Sequence, residues 1–185
     1  MYQIGLDIST SIIGISVFYN QKFHELKHIN LSKVKCIFEK SRKTEIVLNA
    51  LFQEYQVDKI YIEDTLQSFS RGMSSARTLM QLAKFNGIVS NIAYRLTKIK
   101  PIYINVNTAR KTLQIKIDKT ASVDKKEQIV EWVNNDLGSY NWPKKTISRG
   151  INKGVVKFEK FCYDMADAYV ICKAGIVIEN EYTSG

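Results

Sequence analysis

Apolar runs in this 185-residue chain carry acids where a carboxylate is costly. Asp7 stands near the end of Tyr2-Gln3-Ile4-Gly5-Leu6-Asp7-Ile8, which reads as a buried strand, and Glu63 ends a second run, Lys59-Ile60-Tyr61-Ile62-Glu63. Asp164 and Asp167 stand three apart in the segment 161–171, whose apolar pattern is helical. An ionised carboxylate alone in an apolar setting is strongly penalised, so buried acids are usually paired, hydrogen-bonded or bound to a cation. Taken singly each has an ordinary explanation. Asp7 could cap the turn at Ile8-Ser9-Thr10, Glu63 beside Asp64 could be a solvated strand end, and Asp164 could pair with Lys160. Together these explanations leave open why every acid ends or interrupts an apolar run.

The remaining pattern supplies elements on which the acids can converge. Strands are expected at 2–8, 12–18 and 22–31, joined by short connections as in an antiparallel meander. An amphipathic helix over 41–55 presents Ile46, Val47, Ala50, Leu51 and Tyr55 on one face and leads into a strand at 58–63. A long helical pattern covers 73–97, with a possible break at Asn86-Gly87. A short strand at 102–106, a short helix at 108–113 and a better one at 122–137 follow, the last with Ser122 as N-cap and Gly138 as C-cap. Residues 138–158 read as a basic loop and 159–178 as a final helix. The order predicts one α/β domain over 1–185, a mixed sheet flanked by helices.

Charge is distributed unevenly. The net charge is +9, and between Lys98 and Lys160 fourteen Lys/Arg face six Asp/Glu, whereas 161–185 holds one Lys against four acids. A basic region just before an acidic cluster fits a polyanion gripped on one side and a cation held on the other. Cys36, Cys162 and Cys172 show no Cys-x-x-Cys spacing, which argues for a reducing compartment and against structural zinc. No apolar stretch reaches the roughly 18 residues of a membrane span. With no cleavable leader pattern at the start, an intracellular, soluble chain with no membrane contact is expected.

In α/β sheets functional groups gather near strand ends, and positions i and i+3 share a helix face. A last helix packed near the ends of the first and fourth strands would therefore assemble Asp7, Glu63, Asp164 and Asp167. Oxygen-only ligands select Mg²⁺ or Mn²⁺. Two such ions roughly 4 Å apart can activate water and stabilise a departing 3′ oxygen in phosphodiester cleavage.

These motifs (Ile4-Gly5-Leu6-Asp7-Ile8-Ser9, Ile60-Tyr61-Ile62-Glu63-Asp64 and Asp164-Met165-Ala166-Asp167-Ala168) resemble those of RuvC-type Holliday junction resolvases, in order and in chain length. The resemblance implies an RNase H-like five-stranded fold and a homodimer. It also implies two Mg²⁺ or Mn²⁺ ions per site and paired nicks in a four-way or branched DNA junction. Residues 65–75 resemble the family's junction-entering loop, with Phe69 as its stacking aromatic and Arg71 beside it. Segments 107–111 and 123–126 resemble its two lysine-bearing sites, with Lys111 and Lys125 as the matches near the scissile phosphate. Arg110, Lys116, Lys119, Lys126, Lys144, Lys145, Arg149 and Lys153 are expected to contact DNA, mostly through phosphates. Extra residues after Glu63 and the basic insert 140–157 depart from the bacterial pattern and look more like viral, phage or organellar relatives.

Rival readings are a general branched-DNA nuclease, a nuclease of RNA–DNA hybrids and a non-catalytic junction-binding protein. Asp7-x-Ser9-Thr10 with Gly14 also resembles the phosphate loop of sugar-kinase and actin-like ATPases, which need a second domain. His24 and His28, on the polar third strand, are expected at the surface. No Ser-His-Asp set or P-loop is present.

Overall fold

Residue alternation along the central strands decides which face of the sheet each helix covers. The computed structural model of the chain describes residues 1–64, 76–151 and 153–183. Its first strand, β1 (Tyr2–Ile8), turns back into β2 (Ile12–Tyr19) and β2 into β3 (Lys22–Asn30), each pair antiparallel. After α1 (Ile37–Glu54) the chain re-enters the sheet as β4 (Val57–Glu63), parallel to β1. After α2 (Ala76–Thr97) it re-enters as β5 (Ile102–Ile104), parallel to β4. The order β3-β2-β1-β4-β5 puts β1 in the middle of this mixed sheet. Then come α3 (Val106–Thr112), α4 (Lys125–Asp136), a separate hairpin of β6 (Lys144–Thr146) and β7 (Val156–Phe158), and α5 (Lys160–Thr183).

Successive strand residues point to opposite faces. Ile4, Leu6 and Ile8 of β1, Ile13, Ile15 and Val17 of β2, and Ile60 and Ile62 of β4 share one core with Leu48 and Leu51 of α1 and Phe85 and Val89 of α2. The alternate positions Phe18 and Tyr61 belong to a second core with Ala109 of α3, Ile129, Val130 and Val133 of α4, and the buried side of α5. With both faces covered, β1 and β2 read as nearly continuous apolar runs.

Glycines let α5 lie on the sheet at backbone contact. A Cβ on Gly14 would fall 1.9 Å from the Asp164 carbonyl oxygen, one on Gly5 2.4 Å from that of Ala168, and one on Gly175 2.3 Å from the Tyr61 ring. Ser16 Oγ donates to the same Ala168 carbonyl at 2.8 Å. Asp164, Ala168, Cys172 and Gly175 recur at helical spacing, so one stripe of α5 is fitted to β1, β2 and β4.

Several sequence expectations shift. Helix α1 begins at Ile37, not Ser41, and α2 runs unbroken through Asn86-Gly87. Strand β5 stops at Ile104 because Asn105 caps α3, its side chain accepting from the Asn107 N–H at 2.9 Å. Asp124, not Ser122, caps α4, accepting from the Lys126 N–H at 2.8 Å. The expected loop at 138–158 contains the β6–β7 hairpin, whose three-residue strands are too short for alternation to reveal them. His28 is half-buried and stacks on Phe161 with ring centroids 4.0 Å apart and planes 6° apart, and burial lowers its pKa.

Candidate active site

Strand register places the first two acids. Leu6 pairs with Ile62 across the parallel β1–β4 ladder, so the next residues, Asp7 and Glu63, lie side by side at the strand ends. Asp7 is also opposite Gly14 on β2, and the missing Gly14 side chain leaves room for the α5 backbone at Asp164. One turn on, Asp167 approaches the same place. Four carboxylates from three elements therefore interact, each partly buried and partly open to water.

Their protonation shows the strain of that gathering. Burial, then the charges of Glu63, Asp167 and Asp164, raise the Asp7 pKa well above the usual carboxylate range. Asp7 and Glu63 are close enough to share a proton. Glu63 is raised by burial and by Asp167, and Asp164 is pushed up to about 6, chiefly by burial. Asp167 is raised by burial, opposed by Arg110, Lys126 and Lys125.

Cations border the acids on one side. Arg110, expected among the DNA contacts, lies with Nη2 3.8 Å from Asp167 Oδ1, and its Nε has no hydrogen-bond partner among the described residues. Capping by Asn105 and Asp124 fixes the starts of the helices that carry Arg110 and the Lys125–Lys126 pair. Lys125 has its pKa lowered by burial and by Arg110. Lys111 projects from the exposed side of α3 and is not among the cations acting on the carboxylates. Lys116 and Lys119 are exposed in the loop after α3, Lys144 and Lys145 on β6, and Arg149 and Lys153 on the hairpin's connecting loop. Phe69 and Arg71 lie outside the described residues.

Two positioning features escaped the sequence reading. Ser9 performs the β1–β2 turn, its Oγ donating to Ile12 O at 2.7 Å and accepting from the Ile12 N–H at 3.0 Å, so Asp7 is free of that task. Asn86, buried in α2, donates from Nδ2 to the Glu63 carbonyl at 3.0 Å and pins the end of β4. An Asn on a mostly apolar helix face, followed one turn later by Ser90, was the available signal for the second. No ion pair joins Asp164 to Lys160 among the described residues.

No family model matches the chain, and no curated relative matches it. Solved structures do. Thermus thermophilus RuvC in complex with a Holliday junction substrate superposes with a TM-score of 0.65 at 15% identity, covering 99% of this chain and 97% of that one. The fold is that of RuvC. A second Thermus thermophilus RuvC structure gives a TM-score of 0.63 at 15% identity over 99% of this chain and 98% of that one. The yeast mitochondrial Holliday junction resolvase Ydc2 gives 0.55 at 11% identity over 98% of this chain and 80% of that one. Within this RuvC fold the acids occupy strand ends and the adjoining helix, as a crevice-forming α/β sheet requires. Among the described residues no three His, Cys, Asp or Glu side chains are gathered tightly enough to hold an ion as they stand. Asp167 faces Arg110, and Asp7 and Glu63 face each other.

Proposed function

We propose that the chain is a divalent-metal-dependent endonuclease that resolves four-way DNA junctions by paired symmetric nicks, working as a homodimer. One observation carries this reading: Asp7, Glu63, Asp164 and Asp167 meet from β1, β4 and α5 with all four pKa values raised. The fold likeness supports it, since two of the similar structures are a RuvC on a Holliday junction substrate and a yeast Holliday junction resolvase.

The donor chemistry fits Mg²⁺ or Mn²⁺, because four carboxylates without His or Cys favour hard divalent cations. Asp7, Glu63, Asp164 and Asp167 would hold two such ions, with Asp167 exchanging its Arg110 contact for one of them. Bound there, the ions supply an activated water and charge at the departing oxygen. The protein's own contribution is positional. Asn86 holds the Glu63 backbone, Gly14 seats Asp164, and Lys125 stands ready to offset charge growing on the phosphate. Exposed Lys111, Lys116, Lys119, Lys126, Lys144, Lys145, Arg149 and Lys153 grip the backbone of the arms, and Phe69 with Arg71 enters the junction centre.

A labelled four-way junction incubated with Mg²⁺, beside linear duplex and RNA–DNA hybrid of the same sequence, tests this. Two symmetric nicks in the junction are expected. Cutting of the hybrid alone would replace the reading with an RNase H-type activity, and junction binding without cleavage would replace it with an architectural role.

A further inference from the structure

A second concave site lies outside the carboxylate cleft, between α4 and the β6–β7 hairpin. It encloses about 610 Å³ and is lined by Glu131 and Asn134 of α4, by Tyr140 and Trp142 on the way into the hairpin, and by Lys144 and Phe158 on it. That volume falls within the roughly 300–1,000 Å³ of small-molecule clefts. The walls are aromatic: Tyr140 and Trp142 stand 4.8 Å apart edge to face, and Phe158 lies 6.4 Å from Trp142. Lys144 is 5.2 Å over the Phe158 ring at the rim.

Polar atoms in the cleft favour a base over a phosphate. Trp142 is 6% exposed, and its indole N–H has no acceptor among the described residues. Asn134 uses Oδ1 to accept from the Tyr140 N–H at 2.9 Å, which leaves its amide N–H groups to donate. Glu131 repels phosphate but accepts from the amine or ring N–H of a base. The hairpin itself is held firm at its base, where the Glu159 N–H donates to Pro143 O at 2.9 Å and Lys145 pairs with Glu159 at 3.2 Å.

Its position links the cleft to the acids. Lys126, which acts on Glu63, Asp164 and Asp167, precedes Glu131 by five residues and Asn134 by eight on the same helix. At about 1.5 Å per residue that is about 8–12 Å along α4, so the cleft stands on the same helix as a cation that acts on the acids. Resting on the junction-nuclease reading, we propose that this cleft is a nucleobase-binding subsite that takes an unpaired base from the strand leading to the scissile phosphate. It would give cleavage a local sequence preference, stacking supplying hold and the Glu131 and Asn134 edge supplying choice.

Tryptophan fluorescence of the full chain tests this without cleavage, since Trp132 and Trp142 are the two tryptophans. The Trp132→Phe variant isolates the Trp142 signal. If that variant does not fold, the wild-type signal compared with Phe158→Leu serves instead. The probes are a thymidine tetranucleotide and an abasic tetranucleotide of the same charge, titrated without divalent metal. Saturable quenching is expected from the base-bearing probe at concentrations at least tenfold below those of the abasic one, with the difference lost in Phe158→Leu. Equal responses to both probes, or none, would overturn the subsite, while symmetric junction cleavage in the same preparation would leave the proposed function standing. Discrimination between the probes without junction cleavage would leave the subsite standing and remove the proposed function.

Discussion

Asp164 is the carboxylate whose burden is most directly measurable. Its pKa in the folded chain is about 6, against the ordinary 3.8 expected once unfolded. Between those values the folded state holds more protons at this carboxyl than the unfolded state, so its contribution to stability is fully present below pH 4 and is lost as pH rises through 6. The shift corresponds to ~3 kcal/mol above that window. Metal-free Asp164→Asn is therefore expected to melt higher than wild type at pH 7–8, with the gain disappearing near pH 4, as read by melting temperature across pH. Mg²⁺ should recover part of the same stability in the wild type only. An unchanged pH profile in the variant would show that this carboxyl is not strained. For cleavage, Asp7→Asn, Glu63→Gln and Asp167→Asn should each cost more than the about 10–100-fold typical of residues that merely orient ligands. Junction affinity, supplied by lysines, should stay near wild type in a gel-shift titration. Near wild-type rates in two of the three would move the site elsewhere.

At the scale of elements, the seating of α5 governs the site. Gly14→Ala places a Cβ on the Asp164 backbone, which cannot yield as a flexible side chain could. Overpacking of this sort costs about 1–3 kcal/mol, and denaturant unfolding should show it together with a loss of cleavage. Asn86→Ala separates the two effects: it removes the bond to the Glu63 carbonyl, so cleavage should fall further than the lost stability explains. Equal rates at saturating metal would make Asn86 a packing residue. The strands, the order of elements and the gathered acids were legible because apolar alternation and buried charge are both written locally. The β6–β7 hairpin was not, since its strands are three residues long and mostly exposed, with only Phe158 packing against the core. Nor was the Arg110–Asp167 contact, which joins α3 to α5 and has no local trace. Glu63 was easier to find than Asn86: the first ends an apolar run, while the second marks its helix face but acts only through a partner 23 residues away.

For the molecule as a whole, charge and symmetry give the remaining tests. Binding through phosphates weakens with salt by a slope of about 0.9 per phosphate neutralised. Arg149→Ala with Lys153→Ala should reduce that slope by about two and leave cleavage positions unchanged. Shifted positions would mean that these residues read sequence. Two matching nicks call for two matching sites, and thus for an isologous pair of chains. Met80 and Tyr94 stand 58% and 47% exposed on α2, on the side away from its buried residues Phe85 and Val89. Met80→Glu with Tyr94→Glu is expected to convert a dimer to a monomer in sedimentation equilibrium. A wild-type monomer, alone and on junction DNA, would count against pairing.

The bond from Ser16 to the Ala168 carbonyl joins residues 152 positions apart. Contacts of such separation close large loops, and that entropy must be met before the contact rewards it. Half of the acid cluster rides on α5, so a chain that has built its β1–β2 hairpin but not captured this helix holds Asp7 without Asp164 or Asp167. Immature or partly opened molecules would then carry no complete carboxylate cluster. If the chain cuts DNA as proposed, that ability would arise only once this long-range contact closes, which couples hazard to completeness.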